Sequence, residues 1–225
     1  MCKAVGKALL ARQIARATAG GANAMYNAAL FYERGTGTAP DARAAFEWYR
    51  RAAEAGHRDA QFNLGSCYEQ GQGVTADASA AFEWYRRAAE AGYAKAQLNL
   101  GDCYAHGKGV TADASAAFEW YLRAAKAGNA FAQFKSGVCL LTGTGVAMDN
   151  RSALEWLERA AASDDAKAVE HALSMLAAEL AKQNAKNALS DALAEEQRTL
   201  ANSLAAQNAL ADALAEQRAH CDALT

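Results

Sequence analysis

The sequence predicts an all-α protein: an α-solenoid of about four helical hairpins, with capping helices and a long C-terminal helix rich in alanine and leucine. Three observations predict this class. The 225-residue chain contains a single proline and about 61 alanines, and alanine is the strongest helix former. The segment GVTADASAAFEWY occurs at residues 73–85 and again, 36 residues later, at 109–121, which is a period typical of stacked helical repeats. Beyond Gly145 there is neither glycine nor proline, so a long helix meets no breaker there.

The N-terminal segment, residues 1–23, precedes the first complete repeat and is predicted to form a capping helix. Its apolar residues Val5, Leu9, Leu10 and Ile14 would cover the N-terminal face of the stack. The same segment carries four basic residues and no acid, so an amphipathic mitochondrial presequence is the alternative interpretation.

The centre of the chain divides into four units by the same step. The units are 24–59, 60–95, 96–131 and 132–167. Each unit is predicted to hold two helices: in the second unit, the first helix ends at Gly71, a suitable left-handed C-cap, and Asp77 is a suitable N-cap for the next helix. One hairpin cannot bury its own apolar faces, so neighbouring hairpins must stack. The residues expected to face inward in the second unit are Ala60, Leu64, Cys67, Tyr68, Ala81, Trp84, Tyr85, Ala88 and Ala89.

The repeated pattern A-x-x-x-L-G-x-x-Y-x-x-G-x-G-V-x-x-D-x-x-x-A-x-x-W-x-x-x-A-A-x-x-G resembles the Sel1-like repeat family, a relative of the tetratricopeptide repeat. The resemblance covers residues 24–167. It implies a solenoid whose first helices line a concave surface that binds extended peptides. The outer units depart from the pattern, with Ala28 and Ala29 in place of Leu-Gly and Leu157 in place of the second aromatic residue. The cysteine-rich branch of the family has paired cysteines in each hairpin, whereas each unit here has one.

Three of the five cysteines, Cys67, Cys103 and Cys139, occupy equivalent positions of successive units. Such positions lie about 8–10 Å apart in stacked helices, which is farther than a disulfide allows. We therefore expect three buried, reduced thiols. The odd number of cysteines and the lack of a Cys/His cluster favour a reducing compartment, most simply the cytoplasm, and predict no metal site.

Two further repeated motifs are interpreted as structural. Glycine pairs recur in the turn of every unit, without the preceding strand or the third glycine of a dinucleotide-binding loop. Tryptophan recurs in every second helix, and we expect it to pack in the core; a ladder that stacks bases or sugars is the alternative. The tryptophans are Trp48, Trp84, Trp120 and Trp156.

The sequence offers no candidate catalytic residue, cofactor or metal ligand set. Its histidines are scattered, with no partner at i+3 or i+4, and no serine or cysteine has an evident base nearby. We expect no enzyme activity. A formal net charge of -2 without a dense block of Lys and Arg argues against nucleic-acid binding, and no apolar run approaches the roughly 20 residues of a membrane span.

The candidate binding residues lie on the first helices. They form a row of three asparagines, completed by a lysine in the fourth unit: Asn27, Asn63, Asn99 and Lys135. Each amide can donate to a peptide carbonyl and accept from a peptide N–H. Equally, asparagine here can be an ordinary solvated residue of the repeat. The neighbouring groove positions are Tyr26, Phe62, Leu98 and Phe134, then Leu30, Ser66, Asp102 and Val138, with Glu33, Glu69 and His106 a turn further along.

The C-terminal third is predicted to form two helices. A closing helix at 168–186 carries a stripe of Val169, Leu173, Leu176 and Leu180, and a break or turn is expected at 182–187. If the helix is continuous, its second half must face a different partner. Residues 187–225 contain a duplication offset by 21 residues, which indicates a weak coiled coil. Its association stripe is Leu189, Leu193, Leu200, Leu204, Leu210 and Leu214.

The function that these patterns favour is a non-catalytic adaptor or scaffold that holds a protein or peptide partner in its groove. The alternative is a structural subunit of a larger assembly that docks or forms a homo-oligomer through the C-terminal helix.

Overall fold

The computed structural model describes residues 2–222, and the side chains of residues 6–199. Within this part of the chain all regular structure is helical, and no strand is present. The helices are α1 Cys2–Thr18, α2 Ala22–Arg34, α3 Ala42–Glu54, α4 Arg58–Gln70, α5 Ala78–Glu90, α6 Ala94–His106, α7 Ala114–Lys126, α8 Ala130–Thr142, α9 Asn150–Ala161 and α10 Ala166–Asp222.

Helices α2 to α9 form four hairpins with the same capping chemistry. The first helix of each hairpin ends at a glycine in the left-handed conformation, such as Gly71 with φ +69°. The second helix begins at an aspartate whose side chain accepts a hydrogen bond from a backbone N–H three residues on, as Asp77 does from Ala80 at 3.0 Å. Both predicted caps of the second unit are confirmed.

The hairpins stack in chain order, because the second helix of each one packs against the first helix of the next. Alanine allows this close approach, and Ala52, Ala60, Ala88 and Ala96 are fully buried. The inward faces predicted for the second unit are buried, except that Tyr68 and Trp84 are half-buried and pack against the rim of the core. The all-α solenoid of helical hairpins is therefore confirmed.

The turns also bring neighbouring hairpins together through backbone. Gly73 has φ +71°, and a Cβ atom placed on it would overlap the carbonyl group of Ala42 at the start of α3. Gly109 stands in the same relation to Ala78. The second glycine of the pair is therefore a contact point between repeats at Gly73 and at Gly109, as a structural turn requires.

Helix α1 packs against α2, as a capping helix should. Leu10 is buried and Ile14 is partly covered. The prediction for Leu9 was wrong, because its side chain remains 42% exposed. The side chain of Val5 lies outside the described residues.

The chain divides into two compact units, the first ending at Leu173 and the second beginning at Ser174. Helix α10 is nevertheless one continuous helix, so the break or turn expected at 182–187 is wrong. Every residue of that polar stretch tolerates a helix, and the chain contains no glycine or proline there. The leucines before and after this stretch lie on different faces of the helix, but the backbone continues through it without a break.

The closing contact of the first unit is made by alanine. Ala168 and Ala172 are fully buried, whereas Leu173 and Leu180 are exposed. The predicted closing stripe of leucines is therefore wrong at these two positions. In the association stripe, Leu189 and Leu193 are exposed; the side chains of Leu200, Leu204, Leu210 and Leu214 lie outside the described residues.

Candidate functional site

The predicted groove residues share one property: each is partly exposed on a first helix of the repeats, α2, α4, α6 or α8. This holds for Tyr26, Asn27, Phe62, Asn63, Ser66, Leu98, Asn99, Asp102, Phe134 and Lys135. An aromatic or aliphatic side chain and a polar one are adjacent in every repeat. Together they form a strip of half-buried side chains, which we call the first-helix strip.

Behind the strip, three second-helix tyrosines donate hydrogen bonds to carboxylates of the first helices. Tyr49 donates to Glu33 Oε2 at 2.5 Å, and Tyr85 donates to Glu69 Oε2 at 2.8 Å. Burial raises the pKa of both hydroxyls above the ordinary value, and the hydrogen bond to the carboxylate raises it further. Both tyrosines therefore remain neutral donors at any physiological pH.

The third repeat makes the same bond from a different position. Ala105 stands where the first and second repeats have the glutamate, and Tyr121 donates instead to Asp102 Oδ1 at 2.7 Å, from a position one helical turn earlier. Lys135 of the fourth repeat lies 2.9 Å from the same oxygen. Two predicted groove residues, Asp102 and Lys135, are thus brought together as an ion pair between repeats.

The two central asparagines interact with tyrosine hydroxyls. Burial is the main cause of the raised pKa of Tyr26, and the side chain of Asn63 opposes that rise. Asn63 acts on Tyr49 in the same sense, and Asn99 does so on Tyr85. Both asparagine side chains are partly exposed.

Aromatic contacts continue the strip from one repeat to the next. The Tyr26 ring stacks on His57, with centroids 4.5 Å apart, and the Phe62 ring meets Tyr93 at 5.2 Å. His57 and Tyr93 are the N-cap residues of α4 and α6. Neither residue stood out in the repeat pattern, although their 36-residue spacing at the start of each first helix indicates a shared role.

A second ladder lies on the second helices. Each tryptophan packs against the core but is only half-buried. The expectation that the tryptophans pack in the core therefore holds for the inner part of each ring, while the outer part is exposed. An arginine three residues later lies over each ring, a favourable cation–π arrangement. The distances from guanidinium carbon to ring centroid are 4.9 Å for Arg51 and Trp48, 4.6 Å for Arg87 and Trp84, 4.4 Å for Arg123 and Trp120, and 4.7 Å for Arg159 and Trp156.

Clefts open between successive repeats near the hairpin turns. The first has a volume of about 420 Å³ and is lined by Glu33, Pro40, Ala42, Ala45, Tyr49, Cys67 and Gln72. The second has a volume of about 190 Å³ and is lined by the equivalent residues Glu69, Ala78, Ala81, Tyr85, Cys103 and Lys108. We call these the first and second turn clefts.

The cysteines do not supply a reactive centre. Cys67, Cys103 and Cys139 are free and buried, as predicted. Burial raises the pKa of Cys67 and of Cys103 to about 11, so both remain protonated thiols near neutral pH. Among the side chains described, those of residues 6–199, no group of His, Cys, Asp and Glu has the arrangement of a metal site. The described helices include none with the length and apolar character of a membrane span.

Comparison with known proteins supports the repeat assignment. The model of the Sel1 repeat matches residues 22–57, 58–93, 94–129 and 130–165. A Sel1 repeat protein of Oxalobacter formigenes is 34% identical, with a TM-score of 0.65 over 69% of this chain and 62% of that one. A protective antigen of uropathogenic Escherichia coli with an SLR fold is 35% identical, with a TM-score of 0.68 over 71% of this chain and 34% of that one.

The chain thus spans less than two thirds of the length of either relative. A comparison with curated proteins found no match.

Proposed function

Because the chain belongs to the Sel1 repeat family, whose repeats generally mediate protein–protein interaction, we propose that it is a non-catalytic adaptor or scaffold. The partner is a peptide or helix of another protein, and it lies along the first-helix strip. The observation that carries this proposal is that apolar and hydrogen-bonding side chains alternate along the strip while staying half-buried in all four repeats.

The chemistry of the strip suits an extended peptide. Rings such as Phe62 offer apolar contact, and the amides of Asn27, Asn63 and Asn99 can each donate to a peptide carbonyl and accept from a peptide N–H. The side chains of Asn63 and Asn99 are partly exposed and can therefore be reached by a partner. The strip combines apolar contact area with polar groups, as protein-recognition surfaces do.

Replacing Asn63 and Asn99 with alanine tests the proposal. We expect capture of the partner from the native source to weaken roughly tenfold, because each lost hydrogen bond contributes about 0.5–1.5 kcal/mol. The melting temperature should change little, because both side chains are partly exposed. The measurement is a quantitative pull-down beside a thermal melt of the same variant.

The matched control is replacement of two exposed asparagines of α10, Asn184 and Asn187, by alanine. This control should retain the partner at the wild-type level. A large fall in melting temperature for the strip variant, or equal losses in the two variants, would mean that the asparagines serve packing and that the groove assignment is wrong.

A second role is favoured by the exposed leucines of α10. Leu180, Leu189 and Leu193 are 62%, 63% and 50% exposed, and exposed leucines repeated along one helix are costly in water unless they are covered. The alternative to the adaptor is therefore a structural subunit that docks or self-associates through α10.

The compartment that we propose is the cytoplasm, with a mitochondrial location as the alternative suggested by the basic segment at 1–23. Three buried thiols without a disulfide partner are suited to a reducing environment.

A further inference from the structure

The repeats offer an internal comparison at the carboxylates that accept from the buried tyrosines. In the second repeat Glu69 Oε1 lies 3.2 Å from Lys108 Nζ, and in the third Asp102 pairs with Lys135 at 2.9 Å. Both carboxylates therefore hold an ammonium group of their own chain. Among the side chains that the structure describes, no lysine or arginine forms an ion pair with Glu33.

One difference between the first and second turn clefts is a residue of the turn. Gln72 occupies the position that Lys108 occupies 36 residues later. Lys108 lines the second turn cleft, which has about 190 Å³, while the first turn cleft has about 420 Å³. The first cleft thus keeps the carboxylate, the tyrosine and the alanines of the second and has the larger volume, with Gln72 in place of the lysine and Pro40 added to its walls.

We propose that the first turn cleft binds the side chain of a lysine supplied by a partner protein. The ammonium group is received by Glu33, whose orientation is fixed by the hydrogen bond from Tyr49. The methylene groups of the lysine pack along Pro40, Ala42 and Ala45, because long basic side chains bury their stems while the charge stays near water.

The geometry selects lysine over arginine. Tyr49 occupies Oε2 of Glu33, which leaves Oε1 as the acceptor and disfavours the two parallel bonds that a guanidinium group prefers. An ammonium group is a compact charge on a flexible stem and needs only one such acceptor. The occupant of the second cleft, Lys108, has this chemistry.

This site adds a side-chain preference to the proposed partner binding, but its test does not depend on that proposal. The probe is Nα-acetyl-lysine N-methylamide, titrated into the isotopically labelled full chain and followed by the backbone amide signals of Cys67 and Gln72. We expect saturable shifts with a dissociation constant in the millimolar range. Nα-acetyl-norleucine N-methylamide, which has the stem without the charge, should produce none.

Two reciprocal substitutions distinguish specific binding in the cleft from general charge attraction. Gln72→Lys supplies the first cleft with its own ammonium group and should weaken probe binding there at least tenfold. Lys108→Gln vacates the second cleft and should add saturable shifts at Cys103. Both positions are exposed, so thermal melts of the two variants should match the wild type.

The proposal is overturned if the norleucine derivative shifts the same amides, if Gln72→Lys binds the probe as the wild type does, or if Lys108→Gln gains no site. The single substitution Asn99→Ala changes a groove residue beside Tyr85 and not beside Tyr49, so this variant should bind the lysine probe unchanged. Loss of partner capture there, with the probe still bound, would separate the groove from the cleft.

Discussion

The buried tyrosines and their carboxylates change together along the chain. Where Ala105 replaces the glutamate, Asp102 accepts the Tyr121 bond. In the fourth repeat the tyrosine position is Leu157, and neither of the corresponding acceptor positions, Val138 and Leu141, is acidic. A buried hydroxyl without a partner costs about 1–3 kcal/mol, so tyrosine and acceptor are retained or lost as a pair.

The buried thiols predict how stability responds to alkaline pH. The pKa of Cys67 and of Cys103 rises from 9.0 to about 11 in the folded chain. Between these values the unfolded chain has released the proton while the folded chain still holds it. The contribution of each thiol is therefore complete below pH 9 and is lost as pH rises to 11, by up to about 1.4 kcal/mol per pH unit.

Urea unfolding from pH 8 to pH 11 measures this loss. Replacing Cys67 and Cys103 with alanine should make the fall in the free energy of unfolding shallower between pH 9 and pH 11. The raised pKa of the buried tyrosines adds a fall above pH 10 that both proteins share. Parallel curves for the two proteins would contradict the assignment.

Sequence reasoning at this scale found the positions but not their partners. Asp102 was expected in the groove, yet its bond to Tyr121 spans 19 residues where the other two tyrosine pairs span 16. Comparing positions exactly 36 residues apart does not reveal an acceptor that has moved by one helical turn. The cation–π pairs and the stacking on His57 were missed because each depends on rotamers, which the repeat pattern does not specify.

At the scale of the helices, capping and packing follow the sequence closely. The aspartate and glycine caps recur with the period, and each caps the backbone groups that a helix end leaves unpaired. The expectation of a break in α10 was wrong because the face on which the apolar side chains lie and the continuity of the backbone are separate properties. Alanine, lysine and glutamine keep a helix continuous even where its apolar face changes side.

The contact between turns and neighbouring helices predicts unequal effects of two similar substitutions. Gly56 and Gly73 both have positive φ, at +83° and +71°, but only Gly73 lies against the backbone of another hairpin. Gly56→Ala should cost about 1–2 kcal/mol from the left-handed conformation alone. Gly73→Ala should cost a further 1–3 kcal/mol, roughly, from overlap with Ala42.

Urea denaturation of the two variants provides the comparison. Because the conformational strain is shared, the difference in midpoint isolates the close approach between repeats. Equal losses of stability would show that the turn moves away from α3 at little cost.

On the scale of the whole molecule, the first unit is a series of hairpins that contact their chain neighbours. Its stability is therefore a sum of hairpin and interface contributions. The class, the period and the hairpin order could all be predicted, because they depend on composition and spacing. The partner could not, because no pattern in one chain specifies the surface that will cover it.

The structural alternative predicts an oligomer that depends on α10. We expect light scattering of the full chain to show association, and removal of residues 187–225 to return a monomer. The double substitution Leu189→Ala and Leu193→Ala should have the same effect while retaining the helix, since alanine favours it. A monomeric full chain at high protein concentration would remove support for this role.

The arginine-covered tryptophans give the molecule one optical reporter per repeat. The four indoles occupy equivalent places, so their summed fluorescence weights the repeats alike and follows the stack as a whole. Three Trp→Phe replacements would leave a single emitter and restrict the signal to one hairpin. The order in which the hairpins come apart can then be read spectroscopically, with no dye or label added.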